Sequence, residues 1–81
     1  METLGNYLRA LRLRKNLGQE AIAQMLGASH TLVSHYEAGR KIPSTAHAKI
    51  YVKQLGGDQE IFLQAFLAKK AQMWGAKYEE A

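Results

Sequence analysis

The fold of this chain is decided by the segment from Gln19 to Ala38, which reads QEAIAQMLGASHTLVSHYEA. Apolar residues recur at helical spacing in both halves of the segment, and Gly27 separates the two halves. Glycine can adopt the positive φ that ends a helix sharply. Ser29 can cap the helix that follows, from about His30 to Ala38. The segment therefore predicts two short helices joined by a tight turn.

The second of these helices has a polar face. The residues that point away from its apolar stripe are His30, Thr31, Ser34 and His35. None is acidic, and all can donate or accept hydrogen bonds, which suits contact with the edges of DNA bases. Leu32 lies among them, and the pattern leaves open whether it contacts a thymine methyl group or packs on the neighbouring helix.

The spacing of these residues resembles that of the lambda repressor and Cro family, also called XRE-type regulators. The resemblance covers about residues 4–67, and the matching residues are Gln19, Ala23, Gly27, Val33, Tyr36 and Glu37, with Arg12 upstream and Gly39 and Pro43 downstream. It implies an all-α fold, a compact five-helix lambda-repressor-like bundle in which helices 2 and 3 form the helix-turn-helix. It also implies a transcriptional regulator, a repressor that binds a palindromic operator in double-stranded DNA as a homodimer. The alternative is an antitoxin or coactivator-like module that binds another protein with the same fold.

The resemblance also assigns roles to individual residues. The positions that read bases in similar repressors are those of His30, Thr31 and His35, and Ser34 between them can reach either a base or a phosphate. The residues expected at DNA phosphates are Gln19, Arg40, Lys41 and Ser44. Arg12 and Glu37 are expected to form a partly buried ion pair. The pair would join the first helix to the end of helix 3, the helix expected to contact the bases. The alternative is two solvated surface charges, worth at most about 1 kcal/mol.

Composition and charge are compatible with a DNA-binding domain. The chain has 81 residues and a net charge of +4, which favours an anionic partner and allows one small domain. Residues 1–41 carry six Lys or Arg against three acids, whereas residues 58–81 carry three against four. There is no cysteine, which agrees with a cytoplasmic location. We expect no signal peptide and no membrane span.

The sequence offers no arrangement typical of an enzyme or a metal site. His30 and His35 are five residues apart, about 140° around a helix, so they do not converge on one ion. His47 is isolated in the sequence, and neither an acid pair at useful spacing nor a glycine-rich phosphate loop is present. We therefore predict a protein without catalytic activity, metal or cofactor.

The remaining segments predict supporting helices. Thr3 can cap a first helix that reaches about Lys15, although Gly5 is a poor helix former near its start. A fourth helix begins after Ser44 and ends at the double glycine of residues 56–57. Asp58 can cap a fifth helix that extends into the low seventies.

The fifth helix is apolar around most of its circumference. Its apolar residues are Ile61, Phe62, Leu63, Ala65, Phe66, Leu67 and Ala68. Such a helix usually has two partners, so we predict a subunit interface in which Phe62, Phe66 and Leu67 take part. The alternative is that the segment beyond Lys70 folds back and covers the second face. The expected organisation is a DNA-binding domain over residues 1–72 and a C-terminal tail over residues 73–81.

Overall fold

The computed structural model describes residues 3–68. This part of the chain contains five helices and no strand. The helices are α1 (Leu4–Arg14), α2 (Gln19–Leu26), α3 (His30–Glu37), α4 (Thr45–Leu55) and α5, which covers residues 59–68. The predicted all-α, five-helix fold is confirmed. Within the described residues, no helix combines the length and the apolar character needed to cross a membrane.

Local sequence signals explain where the helices begin and end. The hydroxyl oxygens of the capping residues accept hydrogen bonds from backbone N–H groups three residues ahead, at 3.1 Å for Thr3, 3.1 Å for Ser29 and 3.2 Å for Ser44. Gly27 and Gly56 end α2 and α4 with φ values of 65° and 73°, where a side chain would be strained. The caps therefore lie at the positions predicted from the sequence.

Helix α3 is held by the helices around it. It packs against α1 and α2, and α4 packs against the same two helices. The buried apolar residues form one core: Leu8, Leu11, Ile22, Ala23, Leu26, Val33, Tyr36, Ala48, Tyr51, Leu55 and Phe62. Leu32 is half-buried and packs against this core, which agrees with the alternative that it packs on the neighbouring helix. The apolar stripes thus orient α3 so that its polar face points outward.

Helix α5 is attached to the core through Phe62, which is 2% exposed. The Phe62 ring lies 6.1 Å from the ring of Tyr7 and 6.0 Å from that of Tyr51. The Tyr7 hydroxyl also accepts a 2.7 Å hydrogen bond from the backbone N–H of Asp58. The assignment of Phe62 to a subunit interface is therefore corrected, because its ring fills the core of its own chain. Phe66 is half-buried and Leu67 is exposed.

The hydroxyl of Tyr51 is buried and has no hydrogen-bond partner among the described residues. Burial raises the pKa of this hydroxyl well above its ordinary value, so it stays neutral in the folded chain. We expect Tyr51→Phe to raise the free energy of unfolding by about 1 kcal/mol, because an unsatisfied polar atom leaves the core. Urea unfolding followed by circular dichroism measures the change.

Tyr36→Phe is the matched control. The Tyr36 hydroxyl lies 2.8 Å from Nδ1 of His47, so the same change there should lower the free energy of unfolding by about 1 kcal/mol.

The raised pKa of Tyr51 makes the stability of the fold depend on pH. Above about pH 10 the unfolded chain ionises this hydroxyl and the folded chain does not, so stability falls with rising pH. Tyr51→Phe should weaken that alkaline loss. Equal destabilisation by both substitutions would contradict the assignment of an unpaired hydroxyl.

Candidate nucleic-acid interface

A partly buried ion pair between Arg12 of α1 and Glu37 holds the end of α3 against α1. Nε of Arg12 donates to Oε2 of Glu37 at 2.7 Å, and Nη2 of Arg12 donates to Oε1 at 3.0 Å. Nη1 of Arg12 donates to the backbone oxygen of Leu17 at 2.9 Å. The side chains of Arg12 and Glu37 are only 11% and 7% exposed, so they are not two solvated surface charges. The hydrogen bond to Glu37 raises the pKa of Arg12.

The ion pair continues to the protein surface through Gln19. Nε2 of Gln19 donates to Oε1 of Glu37 at 3.2 Å, and Oε1 of Gln19 lies 2.7 Å from Nε2 of His30. We call Arg12, Glu37, Gln19 and His30 the Arg12–His30 network. It connects α1, α2 and both ends of α3 by side-chain hydrogen bonds. The position of His30 on the surface is thereby coupled to a pair of charges in the interior.

The four residues predicted to read bases lie together. One open concavity of about 260 Å³ is lined by His30, Thr31, Ser34, His35, Ala38 and Arg40. His30 and Thr31 are exposed, whereas Ser34 and His35 are half-buried. Its lining includes hydrogen-bonding side chains and the guanidinium of Arg40, and no acidic residue lines it. Its chemistry suits an anionic surface that carries hydrogen-bonding groups.

The residues predicted to contact phosphates lie at two helix starts and in one loop. Gln19 is the first residue of α2, and Ser44 is the N-cap of α4, so both lie near backbone N–H groups at positive helix ends. Arg40 and Lys41 are exposed in the loop between α3 and α4. The backbone N–H of Arg40 donates to the His35 oxygen at 2.9 Å, which holds the loop against the end of α3.

Two residues near this surface have partners that sequence reasoning missed. His47 is not isolated, because its Nδ1 lies 2.8 Å from the Tyr36 hydroxyl and the two rings pack edge to face. A Cβ at Gly5 would collide with the Glu37 carbonyl oxygen and would lie 2.9 Å from its carbon. Glycine inside a helix is a signal of close backbone approach, but nothing in the spacing indicated the partner of either residue.

Two helices joined by a tight turn, the second with its polar face outward, define a helix-turn-helix bundle. The chain belongs to the helix-turn-helix domain family, whose profile matches residues 3–60. The resemblance to lambda repressor and Cro-like regulators is thereby confirmed.

The chain is similar to an uncharacterized HTH-type transcriptional regulator of Archaeoglobus fulgidus, with 41% identity over 51 residues. The match covers 63% of this chain and 22% of that protein, so this chain spans less than a quarter of the length of the relative. No solved structure matches the chain.

Proposed function

We propose that this chain is a sequence-specific DNA-binding transcriptional regulator that places α3 in the major groove. The observation that carries the proposal is the concavity on α3, in which four hydrogen-bonding side chains lie beside Arg40 and no acid intervenes. An α-helix fits the major groove, where each base pair presents a distinct pattern of donors and acceptors. The archaeal relative is named as an HTH-type transcriptional regulator, which supports the same function.

The two groups of surface residues take different parts in this proposal. His30, Thr31, Ser34 and His35 meet base edges, because they line the exposed side of α3. The residues that hold the backbone are Gln19, Arg40, Lys41 and Ser44, which lie at the helix starts and in the loop beside it. Contacts to phosphate position the protein, whereas contacts to bases carry the sequence information.

We further propose that the protein is a cytoplasmic repressor that forms a homodimer through α5 and binds a palindromic operator. Leu63 is 47% exposed and Leu67 is 59% exposed. Leu63 and half-buried Phe66 also line an open groove beside α4. Such a surface suits a second copy of the chain, and a symmetric dimer reads two half-sites about one helical turn apart. The alternative is that the segment beyond Lys70, with Met73, Trp74 and Tyr78, folds back over this face. That segment lies outside the described residues, and so does the proposed boundary between residues 72 and 73.

The first test separates the phosphate group from the base group. Replacing Arg40 or Lys41 with alanine should weaken binding to operator and random DNA alike. Each substitution should also reduce, by about one, the slope of the logarithm of the binding constant against the logarithm of the salt concentration. Replacing His30, Thr31 or His35 with alanine should reduce the preference for the operator by about 1 to 3 kcal/mol where a good base contact is lost. Fluorescence anisotropy at several salt concentrations, with an operator selected from random duplexes, measures both quantities.

Gln24→Ala serves as the matched control, since Gln24 is an exposed residue of α2 outside the concavity. It should leave affinity and preference unchanged. If the α3 substitutions left the operator preference intact while changes elsewhere removed it, α3 would not be the reading helix.

A further test concerns the dimer. Leu67→Glu should convert a dimer into a monomer, because it places a charge on the exposed apolar face of α5. Sedimentation at tens of micromolar reports the mass directly. Leu13→Glu is the control on α1, where Leu13 is 52% exposed, and it should leave the mass unchanged. A well-folded wild type that sediments as a monomer would remove the homodimer from the proposal.

The exposed apolar face of α5 also supports a second function, that of an antitoxin or coactivator-like module which binds an unlike protein. The two functions differ in their response to DNA. A regulator retards duplex DNA in a salt-sensitive way, whereas a module that binds only protein does not.

A further inference from the structure

We propose that the Arg12–His30 network fixes the imidazole of His30 in the tautomer that carries its proton on Nε2. Nδ1 is then a hydrogen-bond acceptor, and His30 selects a base with an amino group, adenine or cytosine, over a base with a keto group. The inference rests on the proposed function of α3 and adds the chemical class of base that one of its residues reads.

The argument begins at the ion pair, where the direction of each hydrogen bond is known. A carboxylate paired with a guanidinium only accepts hydrogen bonds, so Glu37 can meet only donors. The group of Gln19 that lies 3.2 Å from Glu37 must therefore be its NH₂. This fixes the rotation of the Gln19 amide and turns its oxygen toward α3.

The amide oxygen of Gln19 then determines the tautomer of His30. An amide oxygen only accepts, and it lies 2.7 Å from Nε2 of His30, so Nε2 must carry a proton. In a neutral imidazole the other nitrogen is then an acceptor. No described residue forms a hydrogen bond with Nδ1, and the side chain is exposed at the concavity of α3. The acceptor is thus free to meet a partner on DNA.

The major groove offers two kinds of partner. Adenine N6 and cytosine N4 are amino groups that donate, whereas guanine O6 and N7, thymine O4 and adenine N7 accept. Each base pair has one amino base and one keto base, so an acceptor at one position distinguishes which strand carries the amino group. An acceptor on His30 therefore requires adenine or cytosine in the strand it contacts. A histidine with the other tautomer, or with two protons, would instead donate to guanine O6 or N7, thymine O4 or adenine N7, and would lose the requirement for an amino group.

The tautomer can be measured without DNA. Long-range proton–nitrogen NMR spectra of histidine-labelled protein at about pH 8.5, above the range in which imidazole titrates, distinguish the two nitrogens. The signals of His30 are identified by their absence from the spectrum of His30→Ala. We expect the Nε2–H form in the wild type, a mixture of tautomers in Gln19→Ala, and no change in Gln24→Ala. A predominant Nδ1–H form in the wild type, or a fraction of Nε2–H in Gln19→Ala as high as in the wild type, would overturn the inference.

The base preference is measured with modified duplexes. Selection from random DNA by the wild type and by His30→Ala identifies the base pair that depends on His30. At that pair we expect an amino base on one strand, preferred by about 5- to 150-fold. Removing only the amino group, by purine in place of adenine or by a 2-pyrimidinone in place of cytosine, should weaken binding by the wild type and leave His30→Ala unaffected. His30→Lys, which can only donate, should shift the preference toward guanine, whose O6 and N7 both accept.

The outcomes distinguish the two levels of the proposal. Salt-sensitive, selective DNA binding with a keto preference at this pair, or with no pair that depends on His30, overturns the inference and leaves the proposed function intact. Failure to bind any duplex overturns the proposed function, and base reading with it, whatever tautomer the NMR spectra show.

Discussion

Replacing Gly5 with alanine is expected to lower the free energy of unfolding by about 2 kcal/mol. An added Cβ would collide with the Glu37 carbonyl oxygen and would lie 3.1 Å from that of Tyr36, and neither backbone atom can rotate aside. Overpacking of this kind costs about 3 kcal/mol, while alanine regains about 1 kcal/mol through its helix propensity. Because the collision falls on the last turn of α3, the recognition surface should shift as well. Urea unfolding measures the loss of stability. A change in affinity for the operator reports the shift of the surface of α3.

Gly18→Ser is the matched control. Gly18 is the N-cap of α2, its φ is −83°, and nothing lies within 4 Å of an added Cβ. Serine at an N-cap can accept a hydrogen bond from the first turn, so we expect stability to rise by a few tenths of a kcal/mol. A Gly5→Ala protein as stable as the wild type would show that α1 and α3 can separate at little cost, which the close contact argues against.

Replacing Arg12 with alanine should have the largest effect, about 3 kcal/mol of lost stability. The substitution leaves the carboxylate of Glu37, which is 7% exposed, without its guanidinium partner and frees the Leu17 oxygen that Arg12 contacts. For a domain of this size the loss corresponds to a melting temperature lower by more than about 10 °C. DNA binding should weaken in parallel, because Gln19 is oriented by Glu37.

A double-mutant cycle checks that the loss comes from the pair. Glu37→Ala should also destabilise, and the double variant should lose less than the sum of the two single losses. Arg9→Ala, an exposed arginine on the same helix, is the control and should change stability by at most about 0.5 kcal/mol. Additive losses in the cycle would show that Arg12 and Glu37 do not stabilise the fold through each other.

The bounds of the helices could be predicted from the sequence because local residues determine them. Ser29 and Ser44 cap helices through their own hydroxyls, and Gly27 and Gly56 end helices because they adopt positive φ. The apolar stripe of α3, with Val33 and Tyr36, follows from helical spacing and determines which face is left for solvent. These signals act within a few residues, so the helix-turn-helix and its polar face could be predicted from the sequence.

Other features depend on which elements meet, and only the tertiary structure decided them. Helical spacing shows that α5 is apolar nearly all round, but it does not show that Phe62 faces the core while Leu67 faces solvent. Gly5 lies against the end of α3, and His47 lies against Tyr36, although no local pattern links either pair.

The ion pair was expected from family resemblance, but its continuation to His30 was not. That continuation requires Gln19 to lie within hydrogen-bond distance of both Glu37 and His30. Periodicity determines which face of a helix is apolar. The packing of one helix on another determines which side chains meet, because distances between elements depend on the whole core and not on any single segment.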